Sequence, residues 1–149
     1  MKSIEIQTGL WLGDEKSVNN KNFIETNNIE IIIDCNKYLN YSSHKYNSPV
    51  REKLEINEIK HTIKFLLKIS EYLYENLKKF NNILVYGHND FNIAISIIIA
   101  FIMRYGKLKK ETVVKLLKSK MSQISISKIS NMSLDYFEQH LQKTSIICE

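Results

Sequence analysis

The chain has 149 residues, 44% of them hydrophobic and 25% charged. That is enough for one domain, 1–149, with a real core, and with four Gly and one Pro it is not collagen-like or a proline-rich linker. The formal charge of +5 admits nucleic acid or acidic partners, yet the lysines cluster only at Lys107-Lys109-Lys110 and Lys115-Lys118-Lys120. Lys, Asn and Ile are abundant together, the bias that an AT-rich viral or parasite genome imposes through its codons.

Cys35 and Cys148 form no CxxC and give no metal or disulfide framework. Cys148 is next to last, so it makes no prenylation box. No secretory leader pattern opens the chain and no apolar run is long enough to span a bilayer. The expectation is an intracellular protein, cytoplasmic or nuclear, with no membrane partner.

Ile4 and Ile6 alternate with polar residues and Leu10-Trp11-Leu12 follows Thr8-Gly9, which predicts an opening pair of short strands. Val18 to Thr26, with Phe23 and Ile24, predicts one short helix broken by Asn27-Asn28. Ile29 to Ile33 is β-branched except for Glu30 and predicts a buried strand ending at Asp34. Cys35 to Val50 is rich in Asn, Tyr and Ser and predicts a loop. Its Tyr38, Tyr41 and Tyr46 are candidates for an exposed edge that a partner could bind. From Ile56 to Phe80, Ile59, Ile63, Leu66, Leu67, Leu73 and Leu77 recur at helical spacing, which predicts a long amphipathic helix.

The next stretch organises the chain. Ile83-Leu84-Val85-Tyr86 predicts a buried strand, and Gly87 to Asn92 a tight loop. Ile93 to Met103 is apolar except for Ser96, which predicts a helix buried on all sides, with Gly106 as its stop. A buried strand that turns into a buried helix aims loop N–H groups and a helix N-terminus at one spot, a ready anion site. The pattern is α/β, with a largely parallel sheet. After it, Glu111 to Lys120 predicts a helix that buries Val113, Val114, Leu116 and Leu117. Met121 to Met132 is Ser-rich and irregular, and Ser133 is a fitting N-cap for a last helix carrying Leu134, Phe137 and Leu141.

The central stretch resembles the active-site segment of the dual-specificity protein phosphatases, in the protein tyrosine phosphatase superfamily. There the strand ends in Val-His-Cys, and the loop follows Cys-x5-Arg before a buried helix. On this chain Tyr86 takes the His place, Gly87 the nucleophilic Cys place and Asp90 that of the usual loop Gly. Ile93 takes the place of the phosphate-clamping Arg, and Ala94 that of the Ser or Thr after it. Leu10-Trp11-Leu12-Gly13 is similar to the family's Leu-Tyr-Leu-Gly opening. Lys118-Ser119-Lys120, Ile129-Ser130-Asn131 and Phe137-Glu138-Gln139-His140-Leu141 are similar to its ending. The resemblance runs from Ile4 to about Leu141. It implies a dual-specificity phosphatase-like α/β fold with a central, largely parallel sheet flanked by helices. It also implies a degenerate phosphate-binding loop made of Tyr86, Gly87, His88, Asn89, Asp90, Phe91, Asn92 and Ile93. The family's general acid would fall near Glu52, a vestigial position that otherwise reads as a solvated loop Glu.

A cysteine phosphatase needs a thiolate nucleophile and a guanidinium fork around the phosphate. Gly87 has no side chain and Ile93 offers only hydrocarbon, so the resemblance implies a catalytically inactive member. Asp90 or Asn92 is expected to cap the helix, and the Asp90 charge should repel a phosphate dianion. His88 is expected to be a solvent-facing loop residue. As a nucleophile it would lack a clamp, and as a metal ligand it would need partners, of which His44 and His61 are far off in sequence. Tyr86 is free to pack, with a hydroxyl that needs a partner, and Trp11 is a packing or surface residue. No metal and no cofactor are expected. The implied function is binding of a protein partner, as scaffold, competitor or regulator. Two alternatives stay open: an enzyme in which His88 or Glu52 carries phosphoester chemistry, and an RNA-binding derivative of an RNA phosphatase-like fold. Homodimerisation is open as well.

Overall fold

The structure is a computed structural model that describes residues 3–35, 39–43, 52–54, 59–87, 91–122 and 124–144. Its strands are β1 (Ile4–Gln7), β2 (Leu10–Gly13), β3 (Ile29–Cys35), β4 (Leu39–Ser43), β5 (Glu52–Leu54) and β6 (Asn82–Tyr86). Its helices are α1 (Glu15–Val18), α2 (Lys21–Thr26), α3 (Ile59–Lys78), α4 (Phe91–Gly106), α5 (Lys110–Lys120) and α6 (Lys128–Lys143). The strands form one sheet in the order β1-β2-β6-β3-β4-β5. The three middle strands β2, β6 and β3 are parallel, and the outer pairs are antiparallel. Connection length explains this split. Gln7 to Leu10 and Cys35 to Leu39 are hairpin-length links, whereas β2 to β3 and on to β6 is bridged by helices.

The continuous apolar runs of β3 and β6 are buried on both faces. On the main face Ile31, Ile33, Ile83 and Val85 join the large core with α3, α4, α5 and α6. On the minor face Ile32, Leu84 and Tyr86 pack under Trp11, Val18, Phe23 and Ile24. Ala94 through Phe101 of α4 are all buried, as their uninterrupted hydrophobicity requires, and α4 touches α3, α5, α6 and the sheet. Its one polar residue there, Ser96, donates its hydroxyl to the Asn92 carbonyl at 2.8 Å. Gly13 closes β2 where α1 crosses: a β-carbon there would lie 2.6 Å from Ser17 Oγ. Only glycine lets the helix approach so near.

Six expectations change. α5 buries Val113 and Leu117, whereas Leu116 is exposed and Val114 only half-buried. Val18 to Thr26 is two short helices, because Asn20 caps α2 by accepting from the Phe23 N–H at 3.1 Å. The polar stretch after Cys35 is not all loop, since Leu39–Ser43 pairs along β3 through its backbone. Glu52 opens a strand rather than sitting in a loop. Gly106 is not the stop of α4: it is the last helical residue, and Lys107 takes the left-handed conformation at φ 54°. The last helix starts six residues early. Its cap is Ser127, whose side chain accepts from the Ser130 N–H, while Ser133 is buried inside the helix. Tyr38, Tyr46 and His44 lie outside the described residues. The predicted long helix is α3 from Ile59, and residues 55–58 lie outside as well.

Candidate functional site

β6 carries the chain into the site. Leu84 and Val85 are fully buried, Tyr86 nearly so, and Gly87 is buried at the strand's end. His88, Asn89 and Asp90 lie outside the described residues, and the backbone is described again from Phe91, the first residue of α4. Asn92 does not cap α4. Its Oδ1 accepts from the Ser127 N–H at 2.9 Å, so it ties the start of α4 to the lead into α6. Sequence reasoning missed this tie because nothing local marks a partner so distant along the chain.

The Tyr86 hydroxyl finds a partner, as burial demands. Asp34 stands opposite it in the β3–β6 register and takes its hydrogen bond. Burial first, and then the negative charge of Asp34, push the phenol's pKa far above its ordinary value. Tyr86 is therefore an un-ionised donor facing the minor side of the sheet. Cys35 follows Asp34 at the end of β3, and its side chain joins the main core that Ile33 and Val85 share. The Cys35 thiol is fully buried and points toward the Ile33 carbonyl at 3.9 Å.

Ile93 leaves the first turn of α4 half-buried. It lines a cavity of about 160 Å³ with Phe65 and Leu66 of α3 and Ile129, Ser130 and Ser133 of α6. None of the described residues that line it is charged. Glu52 is opposite Tyr41 of β4, in the row that continues through Ile33 to Val85. Three strand spacings, about 14 Å, separate its backbone from β6. His61 lies on α3. Among the described residues no three His, Cys, Asp or Glu side chains come close enough to hold a metal. Trp11 packs edge-on against Phe23, ring centres 5.2 Å apart, in the small second core. No described helix is long and apolar enough to cross a membrane.

A parallel strand pair leading into a buried helix at the middle of a mixed sheet, with helices on both faces, is the frame of an α/β domain. Solved structures give that frame a closer description. A leucine-rich repeat and phosphatase domain containing protein from Entamoeba histolytica is similar over 95% of this chain and 94% of its own, with a TM-score of 0.79 and 20% identity. Human DUSP28 is similar over 94% and 95%, with a TM-score of 0.73 and 14% identity. The human tyrosine phosphatase-like serine/threonine/tyrosine-interacting protein is similar over 94% and 97%, with a TM-score of 0.72 and 17% identity. The chain has the dual-specificity phosphatase fold of the protein tyrosine phosphatase superfamily. At the level of sequence no family model and no curated protein matches it.

Proposed function

We propose that this chain is a pseudophosphatase, a dual-specificity phosphatase-like domain that binds a protein partner and turns over no phosphate ester. The observation that carries the reading is the pair of residues at the ends of the β6–α4 loop. On the resemblance to the phosphatase loop, Gly87 takes the nucleophile's place and Ile93 that of the guanidinium, and Ile93 lines a largely apolar cavity. Without a thiolate no phosphoenzyme forms, and without a positive fork the charge on the transferring group goes unmatched. The Glu52 backbone, about 14 Å from β6 and on an edge strand, adds no support for an acid at the loop. The name of one similar structure, phosphatase-like and interacting, is in keeping with a binding role. A buried cysteine held as a thiol at Cys35 suits a reducing intracellular location.

The test is turnover of p-nitrophenyl phosphate, a phosphotyrosine peptide and an RNA 5′-phosphate, together with affinity capture from the native cell. We expect rates at the buffer level on all three substrates and a protein recovered in stoichiometric complex. Turnover that disappears in His88→Ala would refute the reading and establish a histidine enzyme.

A further inference from the structure

We propose that the cavity between α3, α4 and α6 is a binding site for a neutral, phenol-sized group: an apolar ring that carries one hydrogen-bonding atom. The site goes beyond the binding reading above and does not depend on the lost chemistry. Two independent observations carry it. The first is size and lining. At about 160 Å³, walled by Phe65, Leu66, Ile93 and Ile129, the cavity matches the roughly 150 Å³ hydrocarbon voids that take up benzene. It has an open rim, because Ile129 is 76% exposed.

The second observation is Ser133. It is 6% exposed and lines the cavity, yet its hydroxyl makes no hydrogen bond among the described residues. The other buried serines do better. Ser70 donates to the Leu67 carbonyl at 3.1 Å, Ser96 to that of Asn92, and Ser17 to Asp14 at 3.4 Å. A buried hydroxyl left unpaired costs stability, so its persistence in a hydrocarbon-walled cavity points to a group that supplies the bond from outside the chain. A water there could reach the Ser130 and Ser133 hydroxyls, with the Ser96 proton already committed, but it would leave the hydrocarbon walls uncovered. An anion is disfavoured, because none of the described lining residues is Lys, Arg or His. An uncharged ring with a hydroxyl or carbonyl fits both features: hydrocarbon against Phe65 and Ile93, and one polar atom at Ser133.

The experiment uses p-cresol, toluene and p-cresyl phosphate as probes, read by NMR at the Ile93 and Ile129 methyls of the full chain. p-Cresol at millimolar concentration is expected to shift both methyls. In Ser133→Ala the ratio of p-cresol to toluene affinity should fall about fivefold, the worth of one hydrogen bond. With no probe present, Ser133→Ala should melt no lower than the wild type, which shows that the variant folds. Ser130→Leu fills the mouth and should weaken both neutral probes together. No shift at Ile93 and Ile129, or an affinity ratio unchanged in Ser133→Ala, overturns the proposal, as does p-cresyl phosphate seated there more tightly than p-cresol. If the phosphate ester instead shifts only the Gly87 amide while p-cresol still moves the two methyls, the cavity stands and the reading of the loop as unable to bind phosphate fails.

Discussion

Tyr86 and Asp34 show how a polar group at the end of β6 finds its partner. A phenol on the minor face must give its proton to something, and the parallel register places a carboxylate opposite it. The need for a partner was legible in the sequence, whereas Asp34 as the partner emerges only from the pairing of β3 with β6. The pair sets a pH dependence. In the unfolded chain the phenol ionises near its ordinary value of 10, and in the folded chain it keeps its proton to a higher pH. The unfolded state therefore sheds the proton first, so stability is intact below pH 10 and falls above it. Melting temperatures between pH 8 and 11 should fall less steeply in Tyr86→Phe than in the wild type. Tyr105, whose pKa burial also raises, declines alike in both and forms the background. Equal slopes in the two proteins would mean that the Tyr86 hydroxyl is not held in this environment.

Helix ends are where the sequence misled most, and the two longest connections into the core show why. α3 ends with Phe80 at φ 63°, and the Phe80 and Asn81 N–H groups bond back to the Leu77 and Asn76 carbonyls at 3.0 Å. α4 ends with Lys107 at φ 54°, and the Leu108 N–H reaches the Met103 carbonyl at 3.2 Å. Both are left-handed caps of the kind glycine usually fills, yet here a phenylalanine and a lysine fill them. Gly106 stands one residue too early, because the half-buried Leu108 fixes where the chain must turn back onto the core. Replacing Lys107 or Phe80 by Gly removes the strain of the β-carbon, and Phe80, 89% exposed, gives up no packing. Each substitution should stabilise the fold by about 1 kcal/mol, read as a higher urea midpoint at unchanged slope. A lower midpoint for Phe80→Gly would show that the ring packs on something in solution. The start of α6 was misread for a related reason. Ser127 and Ser133 are equally good caps in sequence, and only the Asn92 bond to Ser127 favours the first.

At the scale of the whole molecule, the long apolar runs made the design readable. β3, β6 and α4 are hydrophobic on every side because they are buried on every side, and no tertiary information is needed to see that. β4 was hidden because Leu39–Ser43 is mostly polar and takes its place through backbone pairing with β3. The Ser133 cavity was hidden because three helices far apart in sequence build it. The charge, too, is less scattered than its spacing implied. Residues 107–144 hold eight lysines and three carboxylates, the whole of the formal +5, while the remainder of the chain balances thirteen against thirteen. The molecule is thus polarised, with its positive end on α5 and α6 and the neutral remainder around the sheet.

Cys35 and Gly87 each follow one member of the Asp34–Tyr86 pair, which has a redox consequence for anyone who tries to build a cysteine enzyme here. Suppose Gly87→Cys and Ile93→Arg are made together. If the parallel register runs one residue past Asp34 and Tyr86, the new sulfur lies on the same sheet face as Cys35, with α-carbons about 4.8 Å apart, inside the range that a disulfide spans. The fold would then hold its own inhibitor, since an oxidised pair has no thiolate to attack phosphorus. We expect the double variant, purified in air, to be two hydrogens lighter by mass spectrometry and silent on p-nitrophenyl phosphate. Whatever activity the double variant has should appear only with reductant, and the same pair in a Cys35→Ser background should show it without. If both versions keep all their thiols and respond alike to reductant, the two positions do not face each other. On the proposed reading, a cysteine introduced at Gly87 would meet Cys35 before it met phosphate, so Cys35 would have to change before a nucleophile there could work.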